Sequence, residues 1–166
     1  PGTGFAPGGD QSIAEGLTRE PSAAWSMALE IPALDEYLDI VGVPQSPEGW
    51  DVSWLGDQAG YLYGSAFPTM AGNTVVSAHV WGANNLPGPF HDRSQLSYSD
   101  QIYIHANGST YVYSVTSTQL LEPTSLSAFQ HSELDRLTLI TCEGFDEASG
   151  EYRYRRAVSA VLVEIR

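Results

Sequence analysis

Thr138-Leu139-Ile140-Thr141-Cys142 decides how the rest of this chain is read. It is a short apolar, β-branched run, and a run of this length reads as a buried strand. Its last residue is the only cysteine among 166 residues, so the strand is expected to end by carrying a thiol to the rim of a sheet. A second run, Asn73-Thr74-Val75-Val76-Ser77-Ala78-His79, ends the same way on a histidine. A third, Tyr152 to Glu164, carries Arg153, Arg155 and Arg156 soon after Cys142. A lone thiol with a histidine and an arginine elsewhere in the sequence is a candidate nucleophilic site. The thiolate is the reactive form of cysteine, and a nearby cation favours it.

These runs resemble a sortase, the family of cysteine transpeptidases that attach proteins to cell walls or build pili. The Thr138–Cys142 string matches the family's Thr-Leu-x-Thr-Cys motif at each defined position. The family's arginine usually follows the cysteine by about a dozen residues, and Arg155 lies 13 positions on. The likeness runs from about Ala28 to Glu164, through Ile31-Pro32 and Gly72-Asn73-Thr74-Val75-Val76. The family usually has Gly before its histidine, where this chain has Ala78.

The resemblance implies a role for each residue. Cys142 would attack a backbone carbonyl and form a thioacyl enzyme. His79 would protonate the leaving amine and then deprotonate the incoming one. Arg155 would stabilise the oxyanion or align the substrate backbone. Arg153 shares its period-two face and is the alternative; Arg156 fits only if a bulge shifts the phase. His91 is the second choice for the histidine, while His105 and His131 suit surface or structural roles. The substrate would be a Leu-Pro-x-Thr-Gly-like sorting signal, and the acceptor an amine such as a cell-wall precursor or a pilin Lys. Thr141 and the connection Leu120 to Asp135, with Leu121, Leu126 and Phe129, are the expected substrate-binding residues. Those apolar side chains read equally well as core plugs.

Composition narrows the classes. Seven basic against 20 acidic residues give a formal charge of −13, with no Lys at all. Such a surface repels phosphate backbones, which argues against nucleic acid as a partner. One cysteine excludes an internal disulfide and is compatible with an oxidising exterior. No apolar run approaches the ~20 residues of a membrane helix. The expected location is the extracellular face of the membrane, as a soluble ectodomain whose anchoring segment lies outside this chain. No cofactor is expected. The acidic groups Glu143/Asp146/Glu147 and Asp35/Glu36/Asp39 do not match a calcium loop, although some sortases use calcium, and no zinc or phosphate-loop spacing occurs.

Organisation follows from the punctuation. Residues 1–24 form an expected Gly/Pro-rich lead, with a possible short helix at Gln11–Glu20, and 25–166 one domain. Expected strands are Trp25–Ile31, Val52–Leu55, Tyr61–Tyr63, Asn73–His79, Gln101–His105, Thr110–Thr116, the cysteine run, and Tyr152 onward. Leu34–Val43 reads as strand or helical turn. Pro44–Gly49, Trp81–Ser94 and Glu143–Gly150 read as loops, and Asn107-Gly108 as a hairpin turn. Many short strands and few helices predict an all-β, closed or nearly closed barrel; the resemblance implies eight strands. Two other functions fit the same residues: a thiol peptidase with water as acceptor, and a non-catalytic extracellular β-barrel binding module with an inert thiol.

Overall fold

Period-two patterning with β-branched residues gives ten strands in the computed structural model, which describes residues 26–68, 70–79, 96–146, 148–149 and 151–166, with backbone alone for 142–146 and 151–153. They are β1 (Met27–Ile31), β2 (Glu36–Val43), β3 (Gln45–Ser46), β4 (Gly49–Trp50), β5 (Ala59–Leu62), β6 (Asn73–Ser77), β7 (Gln101–Ala106), β8 (Ser109–Leu121), β9 (Arg136–Asp146) and β10 (Glu151–Ile165). Eight of them close into a barrel in the order β1-β2-β5-β6-β9-β10-β8-β7, and β7 returns to pair with β1. The pairs β2/β5 and β6/β9 are parallel; the other barrel pairs are antiparallel. The expected eight-stranded all-β barrel is the observed fold.

Two apolar clusters lie on opposite sides of the same strands. Leu29, Ile40, Tyr61, Val76, Leu139 and Val158 belong to the barrel interior. Val43, Leu62, Val75, Ile140 and Ala157 belong to a second cluster, with Trp50, Val52 and Leu55. Consecutive residues such as Val75 and Val76, both 0% exposed, therefore point to different clusters. This explains why Val75-Val76 and Leu139-Ile140 are consecutive apolar pairs and do not alternate with polar residues: both faces are covered.

The second cluster is capped by an excursion that the sequence reading put together differently. Pro44–Gly49 is not a plain loop, because β3 and β4 pair there as a small hairpin. Val52–Leu55 is not a strand. It is a turn in which the Leu55 N–H donates to the Val52 carbonyl at 3.3 Å, and Asp51 accepts the N–H and hydroxyl of Ser53. A spacing of three turns Val52 and Leu55 to the same side, where both are buried. Trp50 donates its indole N–H to the Tyr63 carbonyl at 2.7 Å, anchoring the excursion.

Elsewhere the elements follow the sequence closely. Pro32–Leu34 is one 3₁₀ turn, Asp35 sits in the left-handed region, and Leu34–Val43 resolves into β2. Asn107 and Gly108 both have positive φ, 52° and 79°, as a two-residue hairpin turn of the primed type requires. Gly42 is needed for packing, since a Cβ there would collide with the Tyr63 ring. Residues 1–24, Trp25, and the Trp81–Ser94 loop lie outside the described residues.

Candidate active site

β9 is clamped between β6 and β10. On one side the parallel register runs from Asn73/Arg136 to Ser77/Ile140. On the other, the antiparallel register with β10 includes Arg155 opposite Cys142. Across β10 the next partner of Arg155 is Leu121 on β8. Leu121, Arg155 and Cys142 therefore form one cross-strand row, with neighbouring strands about 4.8 Å apart.

Two expectations about strand ends are corrected here. Glu143 to Asp146 are not loop: β9 continues through them, in register with Tyr154 to Glu151. Cys142 is thus not the last residue of its strand. It lies where β9 keeps β10 but has lost β6, whose last pair is Ser77/Ile140. The histidine strand stops at Ser77 rather than His79. Ala78 still donates its N–H to the Ile140 carbonyl at 3.4 Å. His79 and Cys142 each stand two residues beyond the last β6/β9 pair, so the chain brings them to the same end of two adjacent strands.

Face assignments follow from alternation. Val75 on β6, Ile140 on β9 and Ala157 on β10 belong to the outer cluster. Arg155 continues the outward series on β10, and Cys142 is its backbone partner on β9. The β9/β10 register is unbroken from Glu151 to Val161, so no bulge lies against β9 among the three arginines. Arg156 falls with Val158 in the inward series, opposite Thr141. His79 is half-buried, and its Nε2 is buried with no hydrogen-bond partner among the described residues. A ring nitrogen kept from water beside the end of β9 is suited to proton transfer with a substrate group.

The proposed binding residues divide. Leu121 and Phe129 pack on the outer cluster, and Phe129 stacks on Trp50 with centroids 5.1 Å apart and planes 4° from parallel. Leu126 is 37% exposed at the start of the 3₁₀ turn Ser127–Phe129. Thr141 is closed off in the inward series, 1% exposed, its hydroxyl without a hydrogen-bond partner among the described residues. His105 is occupied on the far side of the barrel, 2.7 Å from Glu30 and 3.0 Å from Thr110. His91 lies outside the described residues. Among the described residues no three His, Cys, Asp or Glu side chains converge as metal ligands.

Sequence reasoning missed two residues that build the wall of this site. Asn73 is buried and receives the Thr138 hydroxyl proton on Oδ1 at 2.7 Å. Its Nδ2 donates to the Ala128 and Gln130 carbonyls at 2.8 and 3.0 Å, fastening the connection before β9 onto β6. A buried Asn among β-branched residues is the available signal, since buried amides are satisfied by hydrogen bonds. Trp50 is the other, an isolated large aromatic just past the Pro47-Glu48-Gly49 turn.

The family description "Sortase domain" matches residues 29–163. Among solved structures, a lid mutant of sortase A from Corynebacterium diphtheriae is 28% identical, with a TM-score of 0.70 over 86% of this chain and 73% of that one. Sortase A from the same organism is 29% identical, with a TM-score of 0.69 over 84% of this chain and 60% of that one. Sortase C-1 from Actinomyces oris, at 22% identity, shares the fold with a TM-score of 0.74 over 96% and 84%. No curated protein matches the sequence.

Proposed function

Because this chain belongs to the sortase family, we propose that it is a cysteine transpeptidase that cleaves a Leu-Pro-x-Thr-Gly-like sorting signal. Cys142 sulfur attacks the carbonyl of the Thr residue. The Thr–Gly bond breaks, His79 gives its proton to the departing amine, and the acyl group stays on Cys142 as a thioester. An incoming amine, from a cell-wall precursor or a pilin Lys, gives a proton to His79 and attacks the thioester. A new amide forms and the thiolate leaves. Arg155 donates to the carbonyl oxygen as it gains charge, a charge-assisted bond that strengthens in the transition state. The enzyme works on the outer face of the membrane.

The observation that carries this reading is the row Leu121, Arg155 and Cys142, with His79 at the same end of β6. Phe129 and Leu121 form the apolar wall for the Leu-Pro half of the signal. Thr141 acts only by holding the strand end. Mass spectrometry of the protein mixed with a sorting-peptide library tests it: an acyl adduct on Cys142 and a peptide-amine product are expected. A free peptide acid as sole product assigns a thiol peptidase instead. No adduct on an alkylatable thiol across the library overturns both.

A further inference from the structure

Four residues along each strand from the row of Leu121, Arg155 and Cys142 lies a second row, Ser117, Ser159 and Thr138. At about 3.3 Å per residue the two are roughly 13 Å apart. This second row floors a surface cavity of about 160 Å³, walled by Arg136 and by Ser127 and Ala128 of the 3₁₀ turn. Gln119 and Ala157, of the row between, also line it, while Leu121, Arg155 and His79 do not, so the cavity stops short of the candidate active site.

Its chemistry is unlike the rest of the surface. In a chain of formal charge −13, Arg136 carries the only formal charge among the lining residues. Its Nε is buried and has no acceptor among the described residues. A buried guanidinium N–H without an acceptor is costly, and an anionic oxygen is the acceptor it pairs with best. Ser117 and Ser159 add hydroxyls that can donate. Thr138 adds none, because its proton is already given to Asn73. The volume of about 160 Å³ equals roughly five waters at ~30 Å³ each, too small for a drug-sized ligand and sufficient for one compact anion.

We propose that this cavity binds a compact oxyanion, a carboxylate or a phosphate, held by the Arg136 guanidinium and the hydroxyls of Ser117 and Ser159. The ligand reaches it from solvent without passing the thiol. Binding is independent of turnover, and it steadies the Ser127–Phe129 turn that also covers the outer cluster.

Titration of the full chain, ¹⁵N-labelled, with inorganic phosphate, with acetate and with N-acetylglutamate amide at constant ionic strength tests the site. Saturable shifts are expected in the amide signals of Ser117, Arg136 and Ser159. Arg136→Gln should weaken binding about tenfold or more, as loss of a charged hydrogen bond does. Ser117→Leu fills the cavity at an exposed position, keeps the guanidinium, and should weaken binding as much. Saturation by phosphate alone identifies a phosphate site. Saturation by acetate and the glutamate derivative identifies a carboxylate site, with the side-chain source favoured if the latter binds more tightly. No saturable shift with any of the three, or equal shifts in both variants, overturns the proposal and leaves a water-filled pocket.

Discussion

Neighbouring residues on β6, β9 and β10 serve two different faces. Val76, Leu139 and Val158 close the barrel interior, while Val75, Ile140 and Ala157 look outward onto the second cluster. The interior is mainly aliphatic and aromatic, with the phenols of Tyr61, Tyr63 and Tyr113 buried in it. The outer face is covered along most of its length by the Trp50–Leu55 excursion and by Ala128 and Phe129, and Cys142, Arg155 and His79 come where that cover and the β6/β9 pairing end. Backbones packed on both faces have little freedom to shift, so the double burial sets the positions of the residues just beyond it. The difference predicts that changes to the residues just beyond the cover remove activity without unfolding, while truncations in the inward series cost stability first.

The largest expected effect is at Cys142, beyond the last β6/β9 pair. Cys142→Ala should give no acyl adduct and no peptide-amine product, with an unchanged circular dichroism spectrum and melting temperature. Product formation near the wild-type rate would remove Cys142 from the mechanism. Arg155→Ala comes next, with kcat lower by about 10²–10³, the usual loss for one oxyanion donor. Arg155→Lys should recover little, because an ammonium does not reproduce the planar fork. Arg153→Ala should be milder and Arg156→Ala milder still, as the unbroken register with β9 puts Arg156 in the inward series. A ranking led by Arg156 would reverse the assignment of faces.

A matched pair of truncations sharpens the contrast. Leu139→Ala opens the interior and should cost about 2–5 kcal/mol in denaturant unfolding. Phe129→Ala removes a half-buried ring stacked on Trp50 and should cost about 1–2 kcal/mol, in line with the ~0.5–1.5 of an aromatic pair plus lost area. Its larger signature should be a raised KM for the sorting peptide. Equal stability losses with unaltered KM would mean that the outer cluster is only a second core.

The smallest effect belongs to the interior alone. Burial pushes the Tyr61 and Tyr113 phenols well above their ordinary range. Below pH ~10 both folded and unfolded chains keep these protons, and stability does not change on their account. Above it the unfolded chain ionises while the folded one does not, so stability falls as pH rises, by about 1.4 kcal/mol per unit for each phenol. Tyr113→Phe should flatten that decline, measured as the urea unfolding midpoint between about pH 9 and 11.

How much of this was legible in the sequence varies with the kind of signal. Hairpin, barrel class and the β-branched strands were legible, because alternation and the Asn107-Gly108 turn are local. The pairing of Arg155 with Cys142 was reached through the resemblance to the family's cysteine-to-arginine spacing, and the two are partners in the β9/β10 register. The end of β9 was not: Glu143 to Asp146 look like a polar loop, and only pairing with β10 makes them strand. The Val52–Leu55 turn looked like a strand because four residues cannot separate a period of two from a spacing of three. Asn73 was read as part of a motif, while its partners Ala128, Gln130 and Thr138 lie 55 to 65 positions away.

That last separation governs the order in which the molecule can be built. The Asn73–Thr138 bond spans 65 positions, and at synthesis rates of about 5–20 residues per second β6 waits roughly 3–13 s for its partner to emerge. Its residues are buried on both faces once folded, so for that interval a strand with Val75 and Val76 at its centre has an open edge, the condition in which strands join the wrong neighbour. Closing so long a loop is also slow, because chain entropy is lost before any contact forms. The segment leading to His79 is therefore where a holdase should bind the nascent chain, and chains cut short before Arg136 should aggregate through it.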